Sequence, residues 1–218
     1  NLGISTMEQI ANADEDLLYR IFGIDAELLI DHSWGREPTT ISDIKSYKPK
    51  NNSLSSGQVL SRDYNRDECK LIVKEMADLL CLDLVDKGIV TQSISLYLGY
   101  SNILGKDPSR GTISMRISSS SSKIILPYVL ELYEEIADKY APIRRLTLSF
   151  NNVVDEMYQQ YDLFIDPVTL ERERKMQKAM IDIKKKFGKN AILKGMNLQQ
   201  GGTTIERNRQ IGGHKSGE

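Results

Sequence analysis

Three stretches of the chain alternate between largely apolar and largely polar side chains, the period of a β-strand with one covered and one open face. In Val90–Leu98, Ile94, Leu96 and Leu98 fall on one side, and Thr91, Ser93, Ser95 and Tyr97 on the other. Thr112–Ser118 repeats the device, with Ile113, Met115 and Ile117 set against Thr112, Ser114, Arg116 and Ser118, after turn formers in Gly105-Lys106-Asp107-Pro108. Ile143–Phe150 sets Leu146, Leu148 and Phe150 inward and Arg145, Thr147 and Ser149 outward. A further strand is read over Ser53–Ser61, where Leu54, Val59 and Leu60 break the alternation and Gly57 is read as a bulge.

Between these strands the period lengthens to that of a helix. Asp67–Val85 carries Cys69, Val73, Met76, Leu80 and Leu84 at steps of three and four and is ended by Gly88. After the serine run Ser119–Ser122, the residues Ile125, Val129, Leu132, Ile136 and Tyr140 predict a second helix that stops before Pro142, with Pro127 placed in its first turn. The element order is therefore βαββαβ, an α+β domain of split βαβ or ferredoxin-like type. It predicts a four-stranded antiparallel sheet with both helices on one face and the polar face open.

The flanks read differently. At the start, Ser5 followed by Glu8 has the form of a capping box, Asp14 caps a helix through Leu17, Leu18 and Ile21 that stops at Gly23, and Asp25 caps a third running toward Trp34-Gly35. Residues 1–38 thus form a small helical piece, either the remnant of a phosphate-holding helix-hairpin-helix unit or a plain three-helix packing piece. Residues 39–50 lack periodicity and read as an exposed linker. Beyond the sheet domain, 51–157, come a short apolar cluster within Gln159–Pro167, read as an exposed hook, and a basic helix with Met176, Met180, Ile183 and Phe187 on one side. The Gly-rich remainder of 158–218 is expected to be a mobile tail.

Charge sharpens this division. The net charge is only -1, but residues 1–49 hold 9 acids against 4 bases, whereas from Glu171 onward 12 bases face 5 acids. A basic tail suits an anionic partner or, equally, a solvated helix face. No apolar run approaches the roughly 20 residues needed to cross a bilayer, and 2 cysteines in 218 residues suit a reducing cytoplasm. His32 and His214 have no companion cysteines at metal-ligand spacing, so no metal site and no catalytic residue is read here. Acidic pairs such as Glu134-Glu135 read as solvated charges.

Chemically, the open face offers hydroxyls and arginines, groups that bind a nucleic-acid backbone without reading bases. The candidates are Ser93, Ser95, Thr112, Ser114, Arg116, Arg145, Thr147 and Ser149. Base stacking of the kind used by RNA-recognition domains is disfavoured, because Tyr97 is essentially the one aromatic on that face. An ordinary wet sheet, or a ligand-sensing or phosphatase-like domain on the same fold, is the competing reading.

Several motifs carry a resemblance over essentially the whole chain. These are Leu2-Gly3-Ile4 with the helices up to Trp34-Gly35, Ser53–Leu60 after the linker, Leu193–Leu198, and Arg207–His214. Together they resemble the C-terminal half of Y-family translesion DNA polymerases, most nearly the UmuC-like branch of Gram-positive bacteria. The resemblance implies that residues 1–38 are the end of the thumb and about 51–157 the little finger, the family's DNA-gripping domain. It implies damaged primer-template DNA as the partner and no membrane. Asn1 stands where a start would have Met, and the palm and fingers, with their metal carboxylates, have no counterpart in these residues. The expectation is a fragment that does not polymerise alone and holds no cofactor, the Mg²⁺ belonging to the parent enzyme. Gln160, Leu163 and Phe164 resemble the Gln-x-x-Leu-Phe peptide by which bacterial polymerases hold the sliding clamp, with Tyr161 in place of the more usual Leu. The alternative function is a protein-interaction module that docks the polymerase without itself binding DNA.

Overall fold

The alternating stretches pair through one another into a single antiparallel sheet. In the computed structural model, which describes residues 3–37, 39–47, 52–101, 103, 105–158 and 166–210, the strands are β1 (Ser53–Tyr64), β2 (Ile89–Tyr100), β3 (Ser109–Ser119) and β4 (Ile143–Asn151). Their order across the sheet is β1-β4-β2-β3, and the short β5 (Val154–Asp155) pairs with the start of β2. Each βαβ unit is split by a strand of the other, as expected. The central strands are β2 and β4, the second of each unit, whereas an ordinary ferredoxin-like sheet has the first of each unit at its centre.

Residues 1–50 and 51–218 form two compact units. In the first, α1 (Met7–Ala11), α2 (Glu15–Phe22) and α3 (Asp25–Ser33) close over Leu18, Ala26 and Ile30. The first capping box falls one residue later than the Ser5/Glu8 pattern suggests. Thr6 has the extended backbone a cap needs, its Oγ1 accepts from the Gln9 N–H at 3.2 Å, and Gln9 Oε1 accepts from the Thr6 N–H at 3.2 Å. Asp14 caps α2 as read, but α3 is entered from Ile24 without a side-chain cap. The stretch 39–50 is not featureless either. Thr40 and Asp43 form a reciprocal box that starts α4 (Ile41–Ser46), a short helix whose Ile41 and Ile44 are exposed. Its brevity hides it from any periodicity argument.

In the second unit, α5 (Arg66–Lys87) and α6 (Ser122–Ile136) cover the apolar face of the sheet. Ile94, Leu96, Leu98, Leu146, Leu148 and Phe150 are all buried there against Ile72, Met76, Leu80, Val129 and Leu132. Each such side chain contributes roughly 1.5–3 kcal/mol by leaving water. Gly111 lies under α6, where a Cβ would come within 2.8 Å of Leu132 and Ile136. Gly57, by contrast, is no bulge: it pairs regularly with Thr147, and the irregularity falls between Val59 and Tyr64. The second helix also ends earlier than read. It stops at Ile136, Tyr140 is exposed, and Pro127 lies in its second turn. Glu134 is no free surface acid, since Arg66 and Lys70 reach it from α5 at 2.6 and 2.5 Å.

The largest departure lies after residue 166. Helix α7 (Pro167–Phe187), capped by Asp166, packs on the outer side of α5 and buries Glu173, Gln177, Met180 and Ile181, while Met176 and Phe187 stay exposed. Glu173 accepts from the hydroxyls of Ser121 and Ser122 and from the Lys123 N–H at 3.1 Å, holding a negative charge at the start of α6. Residues 189–210 are no loose tail. A 3₁₀ turn at Gly195–Leu198 and the short α8 (Thr204–Arg207) are tied to α5 by Glu75, only 1% exposed, whose carboxylate accepts from Asn197 Nδ2 at 2.9 Å and the Thr203 N–H at 2.8 Å.

Candidate nucleic-acid interface

The register sets polar side chains in rows across the open face. One row runs Ser55, Ser149, Ser95 and Thr112 from β1 to β3, and the next Gly57, Thr147, Tyr97 and Arg110. Beside these, Val59 faces Arg145, which faces Gly99. Of the residues predicted from alternation, Ser95, Thr112, Arg145, Thr147 and Ser149 are thus brought side by side, although they come from segments up to 54 residues apart in sequence. Ser114 and Arg116 are exposed at the β3 end of the same face, opposite the buried Met115. Ser93 shares the face but is itself buried, and Thr91 is fully enclosed, its hydroxyl donating to the Asn151 carbonyl at 2.7 Å. Neither is available to a partner. The pairing of β2 with β3 is irregular between Thr91 and Ser93.

Sequence reasoning missed Arg110, exposed and paired across from Tyr97, and Ser55, paired with Ser149. The signal for the first was present. Arg110 continues the two-residue step of Thr112, Ser114 and Arg116, but the strand was begun at Thr112.

Hydroxyls on this face pair with one another. Ser55 donates to Ser149 at 2.8 Å, Ser95 and Thr112 share a hydrogen at 2.8 Å, and Asn151 Nδ2 donates to Ser95 at 2.8 Å. Each hydroxyl pair uses one hydrogen and leaves a second to donate outward. The rows hold no carboxylate, and Arg110 and Arg145, with Arg116 at the β3 end, are the charged groups on them. A shallow depression of about 330 Å³ is lined by Ser95, Tyr97, Arg110, Thr112, Thr147 and Ser149. Backbone geometry helps keep this face low. At Gly99 a Cβ would stand 3.2 Å from Arg145 Cβ, tighter than most side-chain contacts, and at ordinary contact distance, 3.5 Å, from the Tyr97 ring. Such a surface offers outward donors and cations, with one aromatic ring among them.

The clamp-like residues Gln160, Leu163 and Phe164 lie outside the described residues. Glu156 before them pairs with Arg174 after them. Among the described residues no group of three or more His, Cys, Asp or Glu side chains could hold a metal ion, and no helix is long and apolar enough to cross a membrane.

UvrX of Bacillus subtilis (strain 168) is 30% identical over 218 residues, covering 99% of this chain and 51% of that protein. DNA polymerase IV 2 of the same organism is 25% identical over 221 residues, covering 98% of this chain and 51% of its own length. The chain therefore spans about half the length of the curated relatives it matches. Among solved structures, a Y-family DNA polymerase chimera aligns over 71% of this chain and 42% of its own, with a TM-score of 0.38 and 15% identity. The resemblance to the C-terminal part of Y-family polymerases holds. Residues 51–163, more than half of the chain, match the model of the impB/mucB/samB family C-terminal domain, and this protein belongs to that family.

Proposed function

We propose that the open sheet face holds the sugar-phosphate backbone of primer-template DNA, and that the chain works as the DNA-gripping part of a lesion-bypass polymerase. The observation that carries this reading is the set of cross-strand rows that hold hydroxyls with Arg110 and Arg145 and no carboxylate, with Arg116 exposed at the β3 end of the same face. Donors of this kind fix a duplex in register without reading its sequence, as a polymerase must when the template base is damaged. Membership of a family whose relatives include DNA polymerases IV supports it. The Mg²⁺ chemistry of nucleotide addition is assigned to no residue described here, because the described residues offer no fitting ligand cluster.

The test is duplex binding as a function of salt. With Z phosphates neutralised, log affinity falls with log salt at a slope near -0.9Z, and we expect Z of about two to four with little sequence preference. Arg116→Ala/Arg145→Ala should weaken binding at low salt and reduce the slope by about two. Binding that is unchanged in the double variant removes the sheet face from the interface.

The same polymerase would be held at the fork through Gln160-Tyr161-Asp162-Leu163-Phe164. Leu163 and Phe164 suit an apolar groove, and Gln160 supplies directional hydrogen bonds. Two apolar anchors contribute roughly 3–6 kcal/mol before ordering costs, so the contact alone should be about micromolar or weaker. Titrating the whole chain against a bacterial sliding clamp should show binding that Leu163→Ala/Phe164→Ala abolishes. Equal affinity in the folded double variant would sink this assignment.

A further inference from the structure

The segment that follows α7 finishes on the sheet. After α7 the chain crosses the outer side of α5, where Lys194 pairs with Asp78 and Glu75 gathers Asn197, Thr203 and Thr204. These ties bring α8 to the free edge of β1. There Thr203 Oγ1 donates to Gln58 Oε1 at 3.1 Å, and Arg207 Nη1 donates to the Gly57 carbonyl at 3.1 Å. Gly57 belongs to the same cross-strand row as Thr147, Tyr97 and Arg110. A groove of about 720 Å³ runs from Arg145 and Thr147 on the sheet to Thr203 and Arg207 on the returning segment. Most of the N–H donors of Arg207 have no described partner. Glu206 lines the same groove and is exposed, so two guanidiniums face one carboxylate.

We infer that Arg207 is a fourth arginine of the phosphate-binding surface, carried to the β1 edge by the Glu75-anchored segment and lengthening the DNA footprint past the sheet. This rests on reading the sheet face as a DNA surface. The ligand is a backbone phosphate of the strand lying over Arg145 and Thr147, because an edge guanidinium already anchored by one hydrogen bond is oriented at little further entropic cost. The segment then has two roles: it covers an edge strand that would otherwise present unpaired backbone groups, and it adds a cation to a sheet that has few.

The experiment is salt-dependent binding of a primer-template duplex by the whole chain. Arg207→Ala should weaken binding by about threefold to tenfold at low salt and lower the slope by about 0.9, while Arg207→Lys keeps the slope. Glu206→Gln, at an exposed position where the fold is not at risk, should tighten binding by roughly twofold by removing a like charge from the groove. Thermal unfolding of each variant establishes that it is folded. Unchanged affinity and slope in folded Arg207→Ala, with Arg116→Ala/Arg145→Ala still weakened, overturns the inference and leaves the sheet reading standing. If Arg207→Ala does not fold, an unchanged affinity in Glu206→Gln overturns it instead. No duplex binding by the unaltered chain overturns both.

Discussion

Cys69 and Cys81 lie within the core that joins α5 to the sheet, each at most 1% exposed. Burial pushes the Cys69 thiol up to about 12, partly offset by its contact with Tyr133. Cys81 is raised by burial first and then by the nearby carboxylates of Asp78 and Glu173. The nucleophile in thiol chemistry is the thiolate, so both cysteines are expected to be inert toward an aromatic disulfide reagent at pH 8 in the native protein. In urea, where the core opens, they should react completely. Rapid modification of either one without denaturant would contradict the burial. Residue by residue, the sequence shows which side chains are apolar and which are hydroxyls. It does not show that Ser93 is enclosed while Ser95 two positions on is partly open, because enclosure depends on what the rest of the folded chain brings alongside.

At the scale of elements, helix starts carry much of the pH response. Glu68 closes the box that starts α5, and its carboxyl is held below the ordinary value by Arg62 first and then by the Asn65 N–H. Asp166, at the start of α7, is lowered by the Thr169 hydroxyl and the Val168 N–H. Glu134, which links α6 to α5, is lowered by Lys70 and then Arg66. A carboxyl with a depressed folded value contributes stability that is fully present above its unfolded value, about 3.9 for Asp and 4.3 for Glu, and lost as pH falls through the folded value. Asp83, raised by burial, works in the opposite sense. The urea midpoint should therefore be nearly flat from about pH 7 to 5 and fall below about pH 4. A midpoint that held steady down to about pH 2.5 would contradict these pairings. The elements themselves were mostly legible: Gly88 has the left-handed backbone that ends α5, and the period-two stretches became β2, β3 and β4. The short α4 and α8 were not, having too few turns to show a period.

For the whole molecule, the sequence alone determined the order of the sheet elements, the apolar side of each regular strand and the chemical character of the other side. Alternation is a property of each strand by itself, imposed by backbone geometry wherever one face is covered. It also held enough of the family's wording to point to the polymerases that comparison then found. Tertiary structure alone decided the strand order, which brings Ser55, Ser149, Ser95 and Thr112 into one row, since nothing local fixes which strand lies beside which. It likewise decided the fate of the last described residues. Of the 22 residues of α5, 13 are buried, because the sheet covers one side and α7 with the returning segment covers part of the other. Seen from its own sequence, that second side is a mixture of Glu75, Asp78, Leu82 and Val85 and resembles a solvated face. The partners of Glu75 and Asp78 lie more than a hundred residues away, at Lys194, Asn197 and Thr203, and are polar groups tied by hydrogen bonds. Hydrogen bonds of that kind leave no period in the sequence, so only the folded chain shows that Arg207 ends at the sheet's edge.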